Sequence, residues 1–306
     1  MRAAVLTEAG GIPQIAEFEE PQAEDGVEIG TVVVGALNPV DRALASGMLG
    51  PPKVPSVVGQ EGVARRDDGT RVYFTGVRPP FGALAERVPL DGRMVELPED
   101  VADADAVAIG VAGTTALLAL RNHGGLQAGE TVLVLGASGP LGGTAVQVAK
   151  RLGAGRVVAA ARHLPSLERL RDSGAADAIV QLTGDDGEAL DAAAEGKYDL
   201  VLDPIFGPTA EAALPATKPG SRYVVCGSVA PSVTLTYKDL IGRRLISVLS
   251  GPATPEDLYR STYEDLLGYL ASGDLTMVVE RKPFEQVSEA WEEQGGSPHR
   301  KLVLEL

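Results

Sequence analysis

A strand, a glycine-rich turn and a helix follow one another near the middle of the chain. Thr131–Leu135 is a short apolar run of the kind that forms a buried strand. Gly136, Gly139 and Gly142 come next at a spacing of three residues, and the amphipathic run Thr144–Leu152 follows them. Strand, glycine turn and helix together are the context in which such a triplet binds a dinucleotide. A plain strand–loop–helix unit is the alternative, which the correct flanks on both sides disfavour.

Each glycine of such a turn has its own physical task. Gly136 lets the chain leave the strand tightly, Gly139 removes a side chain where a pyrophosphate approaches the backbone, and Gly142 lets the helix pack closely on the strand. The helix N-terminus supplies free N–H donors, and proline suits its first turn. The residues expected to contact the cofactor are Gly136, Ser138, Gly139, Pro140, Leu141 and Gly142.

Composition excludes several classes of protein. The net charge of −15 argues against nucleic acids and anionic membranes as partners. Cys226 is the only cysteine, so an internal disulfide and a cysteine-cluster zinc site are impossible. The first residues lack the apolar core of a signal peptide, and no run approaches the roughly 18 apolar residues of a membrane span. We therefore expect a cytoplasmic enzyme that acts on a small molecule.

Two kinds of pattern divide the chain. Short strands with frequent glycines, such as Arg2–Thr7 and Glu28–Val34, fill the first hundred residues and indicate a small β-barrel or open β-domain. Val101–Arg121 has a helical pattern that Gly110 and Gly113 interrupt. Beyond it strands alternate with helices, which predicts a doubly wound parallel sheet. The strands expected in this sheet are Thr131–Leu135, Arg156–Ala161, Ala178–Leu182, Tyr198–Asp203, Ser221–Gly227 and Leu245–Ser250.

Five motifs are spread over nearly the whole chain: Asn38-Pro39-Val40-Asp41, Gly59-Gln60-Glu61-Gly62, Gly113-Thr114-Thr115-Ala116, the turn GASGPLG, and Arg300-Lys301-Leu302-Val303-Leu304. Together they resemble the zinc-independent quinone oxidoreductases, the zeta-crystallin-like branch of the medium-chain dehydrogenase/reductase family. Pro140 departs from the usual glycine. The resemblance implies an α/β protein with a GroES-like catalytic domain over residues 1–115 and a Rossmann NADP(H)-binding domain over 116–253. A C-terminal return over 254–306 then completes the first domain.

The resemblance also allows a test for zinc. A catalytic zinc in this family needs a cysteine where Asn38 stands and a histidine where Gln60 stands, and neither amide is a good zinc ligand. Val40 occupies the position of a hydroxyl that relays a proton in the zinc alcohol dehydrogenases, and valine cannot relay a proton. We therefore expect no metal.

The choice of cofactor depends on the end of the second Rossmann strand. NAD enzymes place a carboxylate about 20 residues past the glycine turn, to bind the ribose 2′-OH. Here that region reads Ala160-Ala161-Arg162-His163 and has no carboxylate. Ala161 leaves room for a 2′-phosphate that Arg162 can bind, and His163 or Arg169 could assist. The segment thus favours NADP(H), with a solvated Arg162 as the alternative.

Further cofactor contacts follow from the resemblance and from the strand ends. The resemblance places Asn38 beside the nicotinamide ribose and the substrate, as the candidate catalytic residue. Its alternative is to cap the next helix. Thr115 could reach the nicotinamide, or bond only its own helix. Because open α/β sheets bind ligands at the carboxyl edge, we expect backbone contacts from Cys226, Gly227, Ser228, Ser250 and Gly251. Cys226 itself is expected to pack rather than to react.

The substrate pocket departs from the family pattern. Leu49 stands where quinone oxidoreductases often have a tyrosine that could orient a carbonyl oxygen. We expect an apolar pocket mouth formed by Met48, Leu49, Tyr73 and Phe74.

The sequence therefore predicts an NADPH-dependent, zinc-free reductase that transfers a hydride to a quinone or an α,β-unsaturated carbonyl compound. One alternative is a biosynthetic reductase of an imine or a polycyclic enone. Another is an NADPH-binding protein with negligible turnover, which the missing tyrosine keeps open.

The apolar stretch Leu245–Ser250 is expected to be the last strand of the Rossmann sheet. An apolar edge invites aggregation unless it is covered or paired, and a twofold axis beside it would join two sheets. The resembling family commonly dimerises through this edge. We expect a homodimer, with a monomer whose helix Pro255–Ala271 covers the edge as the alternative.

Overall fold

The computed structural model describes residues 1–23, 26–228, 230, 232–248, 251 and 253–306. They divide into two units. The first, here the β-unit, comprises Met1–Ala112, Thr254–Ala271 and Met277–Leu306. The second, here the Rossmann unit, comprises the described residues of Gly113–Ala253 and Ser272–Thr276.

The described residues of the stretch 1–110 form eight strands and two helices. The strands are β1 (Arg2–Leu6), β2 (Gln14–Glu17), β3 (Ile29–Ala36), β4 (Ser56–Val57), β5 (Glu61–Arg65), β6 (Arg71–Thr75), β7 (Arg87–Pro89) and β8 (Arg93–Glu96). The helices are α1 (Pro39–Ala45) and α2 (Asp103–Ala108).

Strands and helices then alternate, as the sequence pattern predicts. The elements are α3 (Val111–Leu118), β9 (Thr131–Leu135), α4 (Pro140–Arg151), β10 (Arg156–Ala161), α5 (Leu164–Asp172), β11 (Ala178–Gln181), α6 (Gly187–Ala193), β12 (Tyr198–Asp203), α7 (Pro208–Ala213), β13 (Thr217–Val225), α8 (Tyr237–Leu240) and β14 (Arg244–Ser247). The return consists of α9 (Glu256–Ala271), β15 (Val279–Pro283), α10 (Val287–Gly295) and β16 (Lys301–Glu305). Among the described residues, no helix has the length and apolar character needed to cross a membrane.

The larger sheet of the β-unit has the strand order β15-β16-β3-β5-β6-β8, and β7 also pairs with β3. β16 and β5 flank β3 and both run antiparallel to it. Their first residues, Lys301 and Glu61, therefore lie at the end where β3 leads into α1. Ala36, the last residue of β3, is opposite Glu61, and the N–H of Leu37 donates to the carbonyl of Leu302. The C-terminal strand thus brings a lysine to a site that the first hundred residues begin.

The Rossmann unit contains a six-stranded sheet in the order β11-β10-β9-β12-β13-β14, and all of its pairs are parallel. Counted along the chain this is the order 3-2-1-4-5-6 of a dinucleotide-binding fold. Val132–Leu135 of the central strand β9 are fully buried, as an apolar run covered on both faces requires. The glycine turn follows β9, at the carboxyl edge of the sheet.

The expected domain boundaries, after residues 115 and 253, place residues 113–115 and 272–276 in the first domain. In the structure both segments belong to the Rossmann unit. Residues 113–115 belong to the Rossmann unit because they continue within α3. Residues 272–276 belong to it because they bond α4. The N–H of Thr276 donates to Gln147 at 2.9 Å, and Arg151 pairs with Asp274 at 3.0 Å.

Some predicted elements differ in extent. The helical pattern of Val101–Arg121 divides into α2 and α3, which separate at Gly110, whereas Gly113 lies inside α3. Gly110 is at this break because a Cβ there would lie 2.1 Å from a carboxylate oxygen of Glu61. The last Rossmann strand starts one residue early, at Arg244, and its described part ends at Ser247; residues 249 and 250 are outside the described part of the chain.

Close packing of α4 on β9 leads to a stability prediction. A Cβ at Gly142 would lie 2.3 Å from the carbonyl oxygen of Gly136, whereas one at Gly143 would approach nothing closer than 3.5 Å. We expect Gly142→Ala to lower the free energy of unfolding by about 1–3 kcal/mol. Gly143→Ala is the matched control, and it should be neutral or stabilising by up to about 1 kcal/mol because alanine favours a helix. Urea unfolding of the two variants measures this, and equal stabilities would contradict the close-packing argument.

Candidate functional site

The glycine turn of the Rossmann unit has the backbone shape that a phosphate-binding turn requires. Gly136 has a positive φ of 61°, which glycine adopts without strain. Gly139 is extended and precedes α4, whose first turn contains Pro140. A Cβ at Gly139 would meet nothing closer than 3.6 Å. The first N–H groups of the helix, at Leu141 and Gly142, have no intrahelical acceptor. The turn can therefore accept a dinucleotide pyrophosphate, and the half-buried Ser138 lies within it.

A basic corner lies where β10 leads into α5. Arg162 is exposed, and His163 immediately precedes the helix. Nδ1 of His163 is 2.8 Å from Oγ of Ser166, and Arg169 donates to the same oxygen at 2.8 Å. Ser166 is buried, so its hydroxyl ties these two basic side chains to one point. Ser166 was not among the residues predicted from the sequence, although it lies three residues after His163 and three before Arg169, a spacing that brings side chains together on a helix.

The structure places the other predicted cofactor residues as follows. The N–H of Cys226 donates to the carbonyl of Asp203 at 3.0 Å, and burial raises the pKa of its thiol to about 12, which keeps it protonated. Gly227 and Ser228 are exposed beyond β13, and Thr115 is buried on α3. Gly251 is half-buried, and Ser250 lies outside the described residues.

The β-unit contains a buried polar cluster, which is defined here as Asn38, Glu61, Tyr73 and Lys301. All four residues are at most 4% exposed. Asn38 donates from Nδ2 to Oε1 of Glu61 at 2.8 Å, and Lys301 donates from Nζ to Oδ1 of Asn38 at 2.5 Å. Lys301 also donates to Oε1 of Glu61 at 2.7 Å. The amide of Asn38 is thus bonded to a negative charge at its nitrogen and to a positive charge at its oxygen.

The second carboxylate oxygen of Glu61 is equally well bonded. It accepts the hydroxyl of Tyr73 at 2.9 Å and the backbone N–H of Val111 at 2.6 Å. The Tyr73 hydroxyl is also 3.0 Å from that of Tyr259, and its ring stacks on Tyr263 at 4.2 Å between centroids. Burial raises the pKa of Tyr73 well above its usual value, so Tyr73 remains a hydrogen-bond donor. Glu61 therefore has four donors and is held rigidly.

Asp41 lies beside this cluster on the first turn of α1. Its Oδ2 accepts the backbone N–H of Asn38 at 2.7 Å, whereas its Oδ1 has no hydrogen-bond partner among the described residues. Burial, and to a smaller extent the Glu61 carboxylate, raises the pKa of Asp41 to about 7 against the lowering effects of the Asn38 N–H and of Lys301. The carboxyl group is therefore partly protonated at neutral pH.

The expected pocket residues do not stay together. Met48 and Leu49 are 72% and 52% exposed, whereas Tyr73 and Phe74 are at most 1% exposed. The expectation that Tyr73 and Phe74 form a pocket mouth is corrected, since Phe74 packs in the apolar core of the β-unit and Tyr73 bonds Glu61. Both lie on β6, which pairs with β5 and β8 in the larger sheet of the β-unit. An apolar run in the sequence does not by itself show whether the strand will be buried.

The donors around Asn38 do not fit a zinc ion. The side-chain oxygen of Asn38 already accepts a hydrogen bond from the ammonium of Lys301, and a second cation there would be repelled by it. An amide is also a poorer zinc ligand than a thiolate or an imidazole. Among the described residues, no group of three or more His, Cys, Asp or Glu side chains is arranged to hold a metal ion.

Sequence reasoning missed two members of the cluster as functional candidates. Glu61 and Lys301 were part of motifs, but neither was assigned a role. The available signal was a charged residue at the start of each of two apolar strands, Glu61 before Gly62-Val63-Ala64 and Lys301 before Leu302-Val303-Leu304. Charged residues are almost never fully buried unless they are paired. A negative and a positive residue, each at the start of an apolar strand, are therefore candidates for an ion pair with each other.

Comparisons with known proteins agree with this architecture. Residues 140–270 match the family model described as zinc-binding dehydrogenase. A quinone oxidoreductase of Pseudomonas aeruginosa is 28% identical over 297 residues, which cover 90% of each chain. A chloroplastic NADPH-dependent alkenal/one oxidoreductase of Arabidopsis thaliana is 28% identical over 317 residues, which cover 95% of this chain and 75% of that one. The quinone oxidoreductase of Thermus thermophilus, whose crystal structures include a complex with NADPH, is 30% identical over the full length of both chains, with a TM-score of 0.88.

The buried Asp41 predicts how stability depends on pH. The unfolded chain loses this proton near the usual value of 3.8, and the folded protein keeps it up to about pH 7. The folded state therefore binds more protons between these values, and the free energy of unfolding falls as the pH rises through that window. Each unit of difference in pKa contributes about 1.4 kcal/mol.

Asp41→Asn should flatten this slope and raise stability at neutral pH, because the amide is neutral and can still accept the N–H of Asn38. Thermal unfolding between about pH 4 and 8, a range that spans the window set by the two pKa values, gives the measurement. Asp172→Asn is the control, since Asp172 is exposed. Parallel curves for the Asp41→Asn variant and the unmodified protein would show that Asp41 is ionised throughout.

Proposed function

Because the chain belongs to the medium-chain dehydrogenase/reductase family, in its quinone oxidoreductase branch, we propose that it is an NADPH-dependent reductase of quinones or α,β-unsaturated carbonyl compounds that works without zinc. The observation that carries this proposal is the full-length similarity to the Thermus thermophilus quinone oxidoreductase, which was crystallised with NADPH. The similarity to an alkenal/one oxidoreductase supports the second class of acceptor. Quinones and enones share an electron-poor carbon conjugated to a carbonyl group, so one chemistry serves both.

The residues of the Rossmann unit fit the cofactor. The turn at Gly136, Gly139 and Gly142 would hold the pyrophosphate, and the basic corner at Arg162 would hold the 2′-phosphate. NADPH, when bound, supplies the hydride, and the protein contributes binding and orientation. Asn38 is proposed to orient the reacting ligands through its side-chain amide. The predicted nicotinamide contacts of Thr115, Cys226–Ser228 and Gly251 remain proposals of the same kind.

Freedom from zinc is the part of the proposal that differs most from the matched family model. Its support is the hydrogen bonding of Asn38, whose side-chain oxygen already accepts a hydrogen bond from the ammonium of Lys301. A buried positive charge is therefore already present next to the amide, and a metal ion would need that lysine to lose its proton or to move away.

A turnover experiment tests the function. Purified protein should oxidise NADPH in the presence of a quinone or an enone, and chelator treatment should leave the rate unchanged. Cyclic imines and bulky polycyclic enones belong in the same panel as the alternative substrates. Preference for an imine would replace the proposed acceptor class. Binding of NADPH without turnover on any acceptor would favour a binding protein, and activity that Zn²⁺ restores after chelation would refute the metal-free mechanism.

Cofactor selectivity depends on Arg162. We expect NADPH to bind at least about tenfold more tightly than NADH, because a hydrogen bond to a charged group contributes about 1.5–3 kcal/mol and about 1.4 kcal/mol is a factor of ten. Arg162→Ala should remove most of this difference, as measured by fluorescence titration. Arg171→Ala near the end of the following helix, α5, is the control, because Arg171 pairs with Asp172 at 3.0 Å. Equal affinities of the unmodified protein for both cofactors would contradict the assignment.

We also propose a homodimer that forms through β14. This strand is at the edge of the sheet, and four apolar side chains on and before it are at least 40% exposed, namely Tyr237, Leu240, Ile241 and Leu245. A proline at Val248 would not test pairing at this edge, because the N–H of Val248 donates to the carbonyl of Val225 on the neighbouring strand β13 at 2.8 Å. A proline there would break the protein's own sheet rather than an intersubunit pair.

Leu245→Glu is the better variant for the dimer. Two copies of the carboxylate would meet near the twofold axis and repel each other, so light scattering should show a larger monomer fraction than for the unmodified protein. Val278→Glu is the control, because Val278 is an exposed apolar residue of the β-unit, 50% exposed. A monomer of about 32 kDa in the unmodified protein at micromolar concentration would contradict the proposal.

A further inference from the structure

The orientation of the Asn38 amide is determined by opposite charges at its two ends. Nδ2 donates to the Glu61 carboxylate at 2.8 Å, and Oδ1 accepts from the Lys301 ammonium at 2.5 Å. A flipped amide would place its oxygen against the carboxylate and its N–H groups against the ammonium. Since Glu61 and Lys301 are 0% and 1% exposed, little water screens these charges, and the flipped state is strongly disfavoured.

The two charged residues are themselves held in place. Oε2 of Glu61 accepts hydrogen bonds from Tyr73 and from the N–H of Val111. A side chain at position 110 would collide with that oxygen at 2.1 Å, so Gly110 gives the carboxylate its room. A fixed carboxylate then fixes Lys301, which bonds Oε1 at 2.7 Å. The amide is therefore attached to a rigid frame.

One hydrogen of the Asn38 amide has no acceptor within the part of the chain that the structure describes, and it is therefore available to a ligand. An amide nitrogen carries two hydrogens, and the bond to Glu61 is the one that Nδ2 donates among the described residues. The frame thus leaves one N–H donor in a set direction, which suits an acceptor such as a carbonyl or hydroxyl oxygen.

Stability alone does not explain a buried ion pair of this kind. The cost of removing two charges from water commonly equals or exceeds their attraction, and neutral replacements of similar volume are often no less stable. A reason for the pair other than stability is therefore worth seeking, and both charged residues bond the side chain of Asn38, the candidate functional residue.

We propose that Glu61 and Lys301 are positioning residues of the reaction, which hold the Asn38 amide in one orientation so that its remaining N–H binds an oxygen of the reacting ligands. This inference rests on the proposed function, in which Asn38 orients those ligands. It adds two residues that act through Asn38 and need not touch cofactor or substrate.

The test uses the neutral pair Glu61→Gln/Lys301→Met, which keeps the volumes and removes both charges. We expect kcat to fall by about tenfold or more, because small losses of orientation cost this much, while the affinity for NADPH and the unfolding temperature change little. The matched control is Glu130→Gln/Arg222→Met, which neutralises a bidentate pair of the Rossmann unit whose members are each 15% exposed. This control should keep kcat. An unchanged kcat in the Glu61→Gln/Lys301→Met variant would overturn the proposal.

A double-mutant cycle separates positioning from a general structural effect. Asn38→Ala should lower kcat strongly in the unmodified protein and only slightly in the neutral-pair background, because the amide has already lost its orientation there. Additive losses in the cycle would overturn the proposal. If the double variant does not fold, Glu61→Asp keeps both buried charges but shortens the reach of the carboxylate to Asn38, and an unchanged kcat for it counts against positioning in the same way.

The side-chain amide signal of Asn38 in ¹⁵N NMR gives a readout that needs no turnover, and Asn38→Ala assigns it. In the unmodified protein the two amide hydrogens should be resolved, and the one bonded to Glu61 should exchange slowly. Both should exchange quickly in the neutral-pair variant. If the unmodified protein turns over no acceptor, the proposed function fails and this signal alone decides the positioning. Equal exchange in both proteins would overturn the inference while leaving any observed turnover intact.

Discussion

Four hydrogen bonds converge on the carboxylate of Glu61, and much of the β-unit is arranged around them. The donors are Asn38, Lys301, Tyr73 and the backbone of Val111. A fully buried carboxylate with fewer partners would carry a desolvation cost of several kcal/mol. Each donor comes from a different segment: the residue before α1, the start of β16, the middle of β6 and the start of α3. The carboxylate is therefore satisfied only when all four segments are in place.

This requirement explains the role of the C-terminal strand. β16 pairs with β3 on the side opposite to β5, and both neighbours run antiparallel to it. The antiparallel arrangement brings the first residues of both neighbours, Glu61 and Lys301, to the end of β3 that leads into α1. A strand that follows the Rossmann unit in the chain thus supplies the counter-charge for a carboxylate of the β-unit. Without that strand Glu61 would be a buried charge without its cation.

The Rossmann unit achieves its binding geometry by a different physical route. Its turn depends on the absence of a Cβ at the glycines rather than on polar groups of side chains. A Cβ at position 142 would lie 2.3 Å from the carbonyl oxygen of Gly136, and Gly136 itself has a positive φ. Backbone N–H groups and the helix dipole then provide the attraction for an anion. The protein thus combines a turn built of backbone groups in one unit with a cluster of buried side-chain charges in the other.

The sequence alone determined the parts that depend on local order. The glycine spacing between an apolar run and an amphipathic run identified the turn at Gly136–Gly142, and the alternation of elements predicted the parallel sheet. Both are readable because their physical causes lie within a few residues of one another. The partnership of Glu61 with Lys301 was decided only by the tertiary structure, because 240 positions separate them and strand pairing alone brings them together. Burial of Tyr73 and Phe74 was decided in the same way, since an apolar strand becomes core or surface according to the strands that cover it.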